Sequence, residues 1–136
     1  MTDKEKVELI NRARTVQRNS YAPYSKFHVG AALRTESGKI YTGTNVENAS
    51  YGLTICAERA AIFNAISEGQ RRLTAIAITS SSDRPIPPCG ACRQVISEFS
   101  DPTALIIMAG EGQTFDTRSI DQLLPFNFVL KSRKEE

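Results

Sequence analysis

Cys56-Ala57-Glu58-Arg59 puts a soft metal ligand, a carboxylate and a cation into four consecutive residues. The only other cysteines, Cys89 and Cys92, stand in Pro87-Pro88-Cys89-Gly90-Ala91-Cys92. Neither segment means much alone. Together they read as a zinc site with a proton carrier beside it, so the fold must bring both segments to one point.

Several other classes fall away. At 136 residues and 40% hydrophobic, the chain fits one compact domain, residues 1–136, with a real core. A net charge of +2, from 17 Lys+Arg against 15 Asp+Glu, is too small for a phosphate-tracking surface, so no nucleic acid is expected. The charged start Met1-Thr2-Asp3-Lys4-Glu5-Lys6 lacks the apolar core of a signal peptide, and no apolar run approaches a membrane span. An odd cysteine count makes reduced thiols in the cytosol the default, and hence a soluble cytoplasmic protein.

Thr2 followed by Glu5 forms a capping-box pattern ahead of Leu9, Ile10, Ala13 and Val16 at helical spacing, with the helix ending near Asn19-Ser20. Residues 27–33 and 39–46 read as strands joined by a turn through Glu36-Ser37-Gly38. A helix is expected from Cys56 to Glu68, apolar nearly all round and so covered on more than one side, with Gly69 as its stop. Residues 73–79 and 104–108 read as buried strands, with a helix from Cys89 to Phe99 between them. A short strand at 113–116 follows, and Thr117 is expected to cap a last helix ended by Pro125. This order implies an α/β domain, a three-layer α/β/α sandwich on a mixed sheet of about five strands. The tail from Lys131 to Glu136 reads as charged and frayed.

Both cysteine segments lie where a loop enters a helix. Unpaired N–H groups and a partial positive charge at such ends stabilise thiolates. Three sulfurs on one ion leave a fourth position for water, the mark of a catalytic zinc site. Three thiolates on one divalent cation sum to −1, and Arg59, three residues after Cys56, shares its helix face and can offset that excess. Glu58 lies two residues after Cys56, which on a regular helix is a different face. It reaches the metal's water only if the metal sits off the helix end.

These motifs, with Arg93 and Gln94 directly after Cys92, resemble the small three-cysteine zinc-dependent cytidine deaminases that act on free nucleosides. The likeness extends to Tyr21-Ala22-Pro23-Tyr24-Ser25, to residues 27–33, to Asn45-Val46-Glu47-Asn48-Ala49-Ser50-Tyr51 and to Leu123-Leu124-Pro125. The resemblance implies one zinc per subunit on Cys56, Cys89 and Cys92, with Glu58 as the catalytic proton shuttle. It implies that Phe27 packs on the nucleoside, that Asn45 and Glu47 hydrogen-bond the ribose hydroxyls, and that Ala57 offers backbone contacts to the cytosine ring. It further implies a homotetramer in which Tyr51 and Phe128 reach a neighbour's site, with Phe126 a second aromatic near that position. The implied reaction converts cytidine and 2′-deoxycytidine to the uridine counterparts plus ammonia, in pyrimidine salvage.

Other readings compete. A C-x-x-C pair can be a redox dithiol, against which stand the third cysteine and the double proline. A structural zinc site could be closed by His28, the chain's one histidine. However, His28 alternates with Phe27 and Val29, and is expected to point away from the nucleoside side. Asn45 and Glu47 taken alone are ordinary strand-end polar residues, and Tyr21, Tyr24 and Phe27 could be plain packing. Nucleic-acid editing uses the same zinc chemistry but lacks support from charge. Blasticidin-type deaminases share the zinc motifs, yet Phe27, Asn45 and Glu47 fit a ribose better.

Overall fold

The computed structural model describes residues 1–130; the tail expected to fray lies outside them. Helix α1 (Asp3–Gln17) begins at an extended Thr2 whose hydroxyl accepts from the Glu5 N–H while the Glu5 carboxylate accepts from the Thr2 N–H. Strands β1 (Val29–Thr35) and β2 (Ile40–Thr44) pair antiparallel around a turn in which Gly38 takes φ +90°, a left-handed value that costs glycine nothing. A single 3-10 turn, Tyr51–Leu53, leads to α2 (Ala57–Ser67), and Gly69 with φ +93° ends that helix as expected. Then follow β3 (Leu73–Ser80), α3 (Gly90–Glu98), β4 (Ser100–Ala109), β5 (Phe115–Ser119) and α4 (Ile120–Leu123).

The five strands lie in the order β2-β1-β3-β4-β5; β3 and β4 are parallel, and the other neighbours antiparallel. This is the mixed sheet of a three-layer α/β/α fold. The pleat assigns residues to layers. Ala32, Ala75, Ala77, Ile107 and Ala109 face α1 and pack on Leu9, Ile10 and Ala13. Leu33, Ile76, Ile78, Ile106 and Met108 face the other way, against Ala61 and Ile62 of α2 and Ile96 of α3. Each fully buried isoleucine contributes about 1.5–3 kcal/mol. Alanines on the α1 side let that helix approach closely.

Three expectations need correction. Residues 115–119 form the last strand, so Thr117 lies within it, and Ser119 caps α4 through a box with Gln122. The displacement has a physical reason, because pairing with β4 overrides the local cap signal at Thr117. β4 also starts four residues earlier than expected, running through Pro102. Finally, α2 buries one face only within the chain: Ala57, Glu58, Ala61, Ile62 and Ala65 are covered, whereas Phe63 is 47% exposed. None of the described helices is long and apolar enough to cross a membrane.

Candidate active site

Helices α2 and α3 pack on the same sheet face, and each starts at a cysteine. Cys56 (φ −81°, ψ 153°) and Cys89 (φ −67°, ψ 168°) are extended N-cap residues whose sulfurs cap nothing on their own helix. Cys92 lies in the first turn of α3, fully buried. All three are free thiols, with their sulfurs within 4.8 Å of one another. Ligands about 2.3 Å from a tetrahedral zinc lie about 3.8 Å apart; Cys56 Sγ and Cys89 Sγ are separated by 3.9 Å. Three convergent soft donors therefore fit zinc and leave one of its four positions to another ligand. His28 does not belong to the cluster. It borders a groove beside Arg14 and Gln17 of α1 and the C-cap residue Arg18, while Phe27 packs with the core on the α2 side. The closed, histidine-capped site therefore has no support.

Charge around the sulfurs is managed locally. Arg59 donates to Cys56 Sγ at 3.4 Å, and this contact raises the arginine's own pKa. Hydrogen bonding from Cys92, then from Arg59 and Cys89, holds the Cys56 thiol down to about 5. Cys92 moves upward, through that same bond and its burial. Glu58 is 5% exposed, and burial, with the nearby Cys56 charge adding to it, pushes its carboxyl up to about 7. The face mismatch between Cys56 and Glu58 disappears because Cys56 is extended, outside the helix. The sulfurs gather off the helix end, and hydrogen bonding from Cys92 works against the rise in the Glu58 pKa.

A small backbone ladder joins the remaining candidates to this end. Val46 N–H and C=O bond Ile55 at 3.0 Å each, directly before Cys56. On its other edge Tyr21 N–H donates to Asn45 C=O at 3.2 Å, and Glu47 N–H donates to Tyr21 C=O at 2.9 Å. Asn45 and Glu47 thus share one face of an extended segment, one residue to either side of Val46. Asn45 is buried: its Oδ1 accepts from Val29 N–H at 2.9 Å and from the Ser20 hydroxyl, and its Nδ2 donates to Phe27 C=O at 2.7 Å. Glu47 accepts from the N–H groups of Tyr24 and Ser25, at 3.0 and 3.1 Å, and from the Ser25 hydroxyl. The Ser25 hydroxyl is the main reason its pKa is lowered.

Ala57, the first residue of α2, is fully buried within the chain, and since its methyl carries no polar atom, any polar contact it makes is through its backbone. Tyr51 is 77% exposed, its ring edge-on to Tyr24 at 6.4 Å. Phe128 is 68% exposed, its carbonyl accepting from Gln94 Nε2 at 3.4 Å. The structure therefore gathers Cys56, Cys89, Cys92, Glu58 and Arg59; Asn45 and Glu47 flank Val46, whose bridge to Ile55 runs into Cys56, and Asn45 bonds the Phe27 carbonyl. The structure leaves Tyr51 and Phe128 on the surface. Sequence reasoning gave Arg93 no role. Its Nε donates to Pro88 C=O at 2.8 Å and its Nη1 to Leu123 C=O at 2.9 Å, fixing the turn before Cys89. The signal was an arginine directly after the second cysteine pair.

The family model described as "Cytidine and deoxycytidylate deaminase zinc-binding region" matches residues 3–108. The chain is 42% identical over 127 residues to a cytidine deaminase of Halalkalibacterium halodurans, covering 93% of this chain and 96% of the relative. It is 47% identical over 142 residues to a probable cytidine deaminase of Dictyostelium discoideum, covering 100% and 95%. The crystal structure of cytidine deaminase from Burkholderia pseudomallei superposes with a TM-score of 0.87 at 45% identity, over 94% of this chain and all of that one.

Proposed function

Because the chain belongs to the cytidine and deoxycytidylate deaminase family, we propose that it hydrolyses free cytidine to uridine and ammonia as a zinc-dependent enzyme. We extend the proposal to 2′-deoxycytidine and to a place in pyrimidine salvage in the cytoplasm. The observation that carries it is the meeting of three sulfurs within 4.8 Å beside a nearly buried glutamate.

Cys56, Cys89 and Cys92 would hold one zinc per subunit. A zinc ion bound there supplies Lewis acidity that makes water reactive near neutral pH. The rest is the work of the chain. Glu58, drawn toward neutral pH by burial, takes a proton from the attacking water and gives it to ring N3, which makes C4 electrophilic. A second proton passes through the same carboxylate to the departing amino group. One water is consumed and one ammonia leaves. Arg59 offsets the negative charge of the sulfurs, and backbone groups of Ala57 contact the cytosine ring. Phe27 packs on the nucleoside, and Asn45 and Glu47 engage the ribose.

The assembly we propose is a homotetramer in which Tyr51 and Phe128 complete a neighbour's site. Supporting it, large apolar side chains are exposed at Tyr51, Leu53, Phe63, Phe126 and Phe128.

The test is loss of cytosine absorbance on incubation with free cytidine, run beside Glu58→Gln with zinc quantified in both. Wild type should turn over. The variant should keep about one zinc per chain and lose on the order of 10²–10⁴ in kcat. Near-normal activity in Glu58→Gln would sink the shuttle. Inaction on cytidine with turnover of single-stranded oligonucleotide would move the enzyme to another class.

A further inference from the structure

Asn45 and Glu47 each have nearly all of their hydrogen-bonding capacity filled, and two serines supply part of it. An asparagine amide has two acceptor sites and two donors. Both acceptor sites of Asn45 are engaged, by Val29 N–H and the Ser20 hydroxyl, and one donor is given to Phe27 C=O. One N–H remains. An ionised carboxylate has about four acceptor sites. Glu47 Oε1 takes the N–H groups of Tyr24 and Ser25, and Oε2 takes the Ser25 hydroxyl, which leaves a single acceptor site on Oε2.

The serine hydroxyls are themselves directional. Ser25 Oγ accepts from Phe27 N–H at 3.0 Å, so its proton is free to go to Glu47. Ser20 donates to Asn45 Oδ1 beside the Val29 N–H, filling the second acceptor site of an oxygen that is already turned inward, with the NH₂ toward Phe27. Phe27 is thereby gripped at both of its backbone polar groups, N–H by Ser25 and C=O by Asn45. Glu47 is held in its ionised form mainly by the same Ser25 hydroxyl.

We propose that Ser20 and Ser25 are positioning residues for sugar recognition: they fix Asn45 as a lone donor and Glu47 as a lone acceptor. A hydroxyl is the group that answers both at once, since it accepts and donates together. Without Ser20 the Val29 N–H and the Phe27 C=O still set the sense of the amide, but one acceptor site of Oδ1 falls vacant and Asn45 is no longer a donor alone. Without Ser25 the carboxylate keeps its backbone bonds through Oε1 but Oε2 is no longer oriented, while Phe27 stays held through its C=O by Asn45.

This inference rests on the ribose-binding reading of Asn45 and Glu47, and the experiment separates the two. Zinc-loaded wild type, Ser20→Ala, Ser25→Ala, Asn45→Ala and Glu47→Gln are titrated by calorimetry with uridine and with 2′,3′-dideoxyuridine, alongside kcat/KM for cytidine. Each serine variant should bind uridine about three- to tenfold more weakly and dideoxyuridine as wild type does. kcat/KM should fall in parallel with uridine affinity. Equal losses on both ligands would make the serines structural, and no loss on either would make them idle; both overturn the proposal. If Asn45→Ala and Glu47→Gln also weaken both ligands equally, the ribose reading itself fails and the serine roles fail with it.

Discussion

Three thiolates around one divalent cation carry an excess negative charge, and in the proposed site Arg59 is the group placed to offset it. Its guanidinium donates to Cys56 Sγ at 3.4 Å from the first turn of the helix that Cys56 caps. Such a donor draws electron density from the ligand sulfur and keeps the metal a better Lewis acid. Arg59→Ala should lower kcat for cytidine about 10–100-fold, or zinc affinity by a similar factor. Steady-state kinetics at saturating zinc, with metal content by mass spectrometry, distinguishes the two; wild-type values for both would remove Arg59 from the site. Much at this scale was readable from spacing. Cys56 and Arg59 stand at i and i+3, and the C-x-x-C pair needs no structure to be noticed. Ser20 and Ser25 were not readable in that way, because a serine's partner lies across the chain and leaves no trace in local pattern. Glu58 was half readable: its type suited a proton carrier, but its access depended on Cys56 being extended.

Helix α2 delivers Cys56, Glu58 and Arg59 together, so its seating on the sheet decides the geometry of the site. A Cβ added at Gly43 in β2 would meet Ala61 N at 2.4 Å and Ala57 C=O at 2.7 Å, backbone atoms that cannot swing aside. On the opposite face, a Cβ at Gly30 would meet Ala13 C=O of α1 at 2.2 Å. Both Gly→Ala changes should destabilise by about 1–3 kcal/mol, measured by denaturant unfolding. Gly43→Ala should also lose kcat/KM, because it lifts the start of α2, whereas Gly30→Ala should retain more activity at equal loss of stability. The reverse order would mean that α2 is positioned by something other than β2.

The start of α1 gives a pH signature. The Thr2 N–H, then the Arg34 guanidinium, hold Glu5 down to about 2 from its ordinary 4.5. The native state thus binds this proton more weakly than the unfolded chain, so the contribution is complete above about pH 5 and fades as pH falls from 4.5 toward 2. In thermal melts the gap in Tm between wild type and Glu5→Gln should be steady near neutrality and close across that acid window. A gap that widened on acidification would contradict the assignment. This capping box was legible from Thr2 and Glu5 alone. The last strand and α4 were not, since β4 pairing selects Phe115–Ser119 over the local preference at Thr117.

Within one chain, Tyr51, Leu53, Phe126 and Phe128 are largely exposed and Phe63 about half so, and Phe126 adopts φ +55° with its ring fully in solvent. A helix apolar nearly all round, read from α2, finds cover on one face here, so its outer side awaits another subunit in the proposed assembly. The segment carrying Phe128 is nevertheless fastened: Asn127 Nδ2 donates to Ser97 Oγ at 2.6 Å, and Gln94 bonds the Phe128 carbonyl. A fixed, solvent-facing aromatic costs free energy unless a partner covers it. Sedimentation should therefore give about four times the 15.0 kDa chain mass. If Phe128 serves a neighbour's site, Phe128→Ala should be strongly impaired while keeping its own Glu58. Co-refolding it with Glu58→Gln should then restore activity, because a hybrid site can draw Glu58 from one subunit and Phe128 from the next. With random mixing of equal amounts, on the order of one quarter of sites would be intact, as expected when each site takes one residue from each of two subunits in a closed ring. Activity no higher than the average of the two variants would show that Phe128 acts within its own chain or not at all.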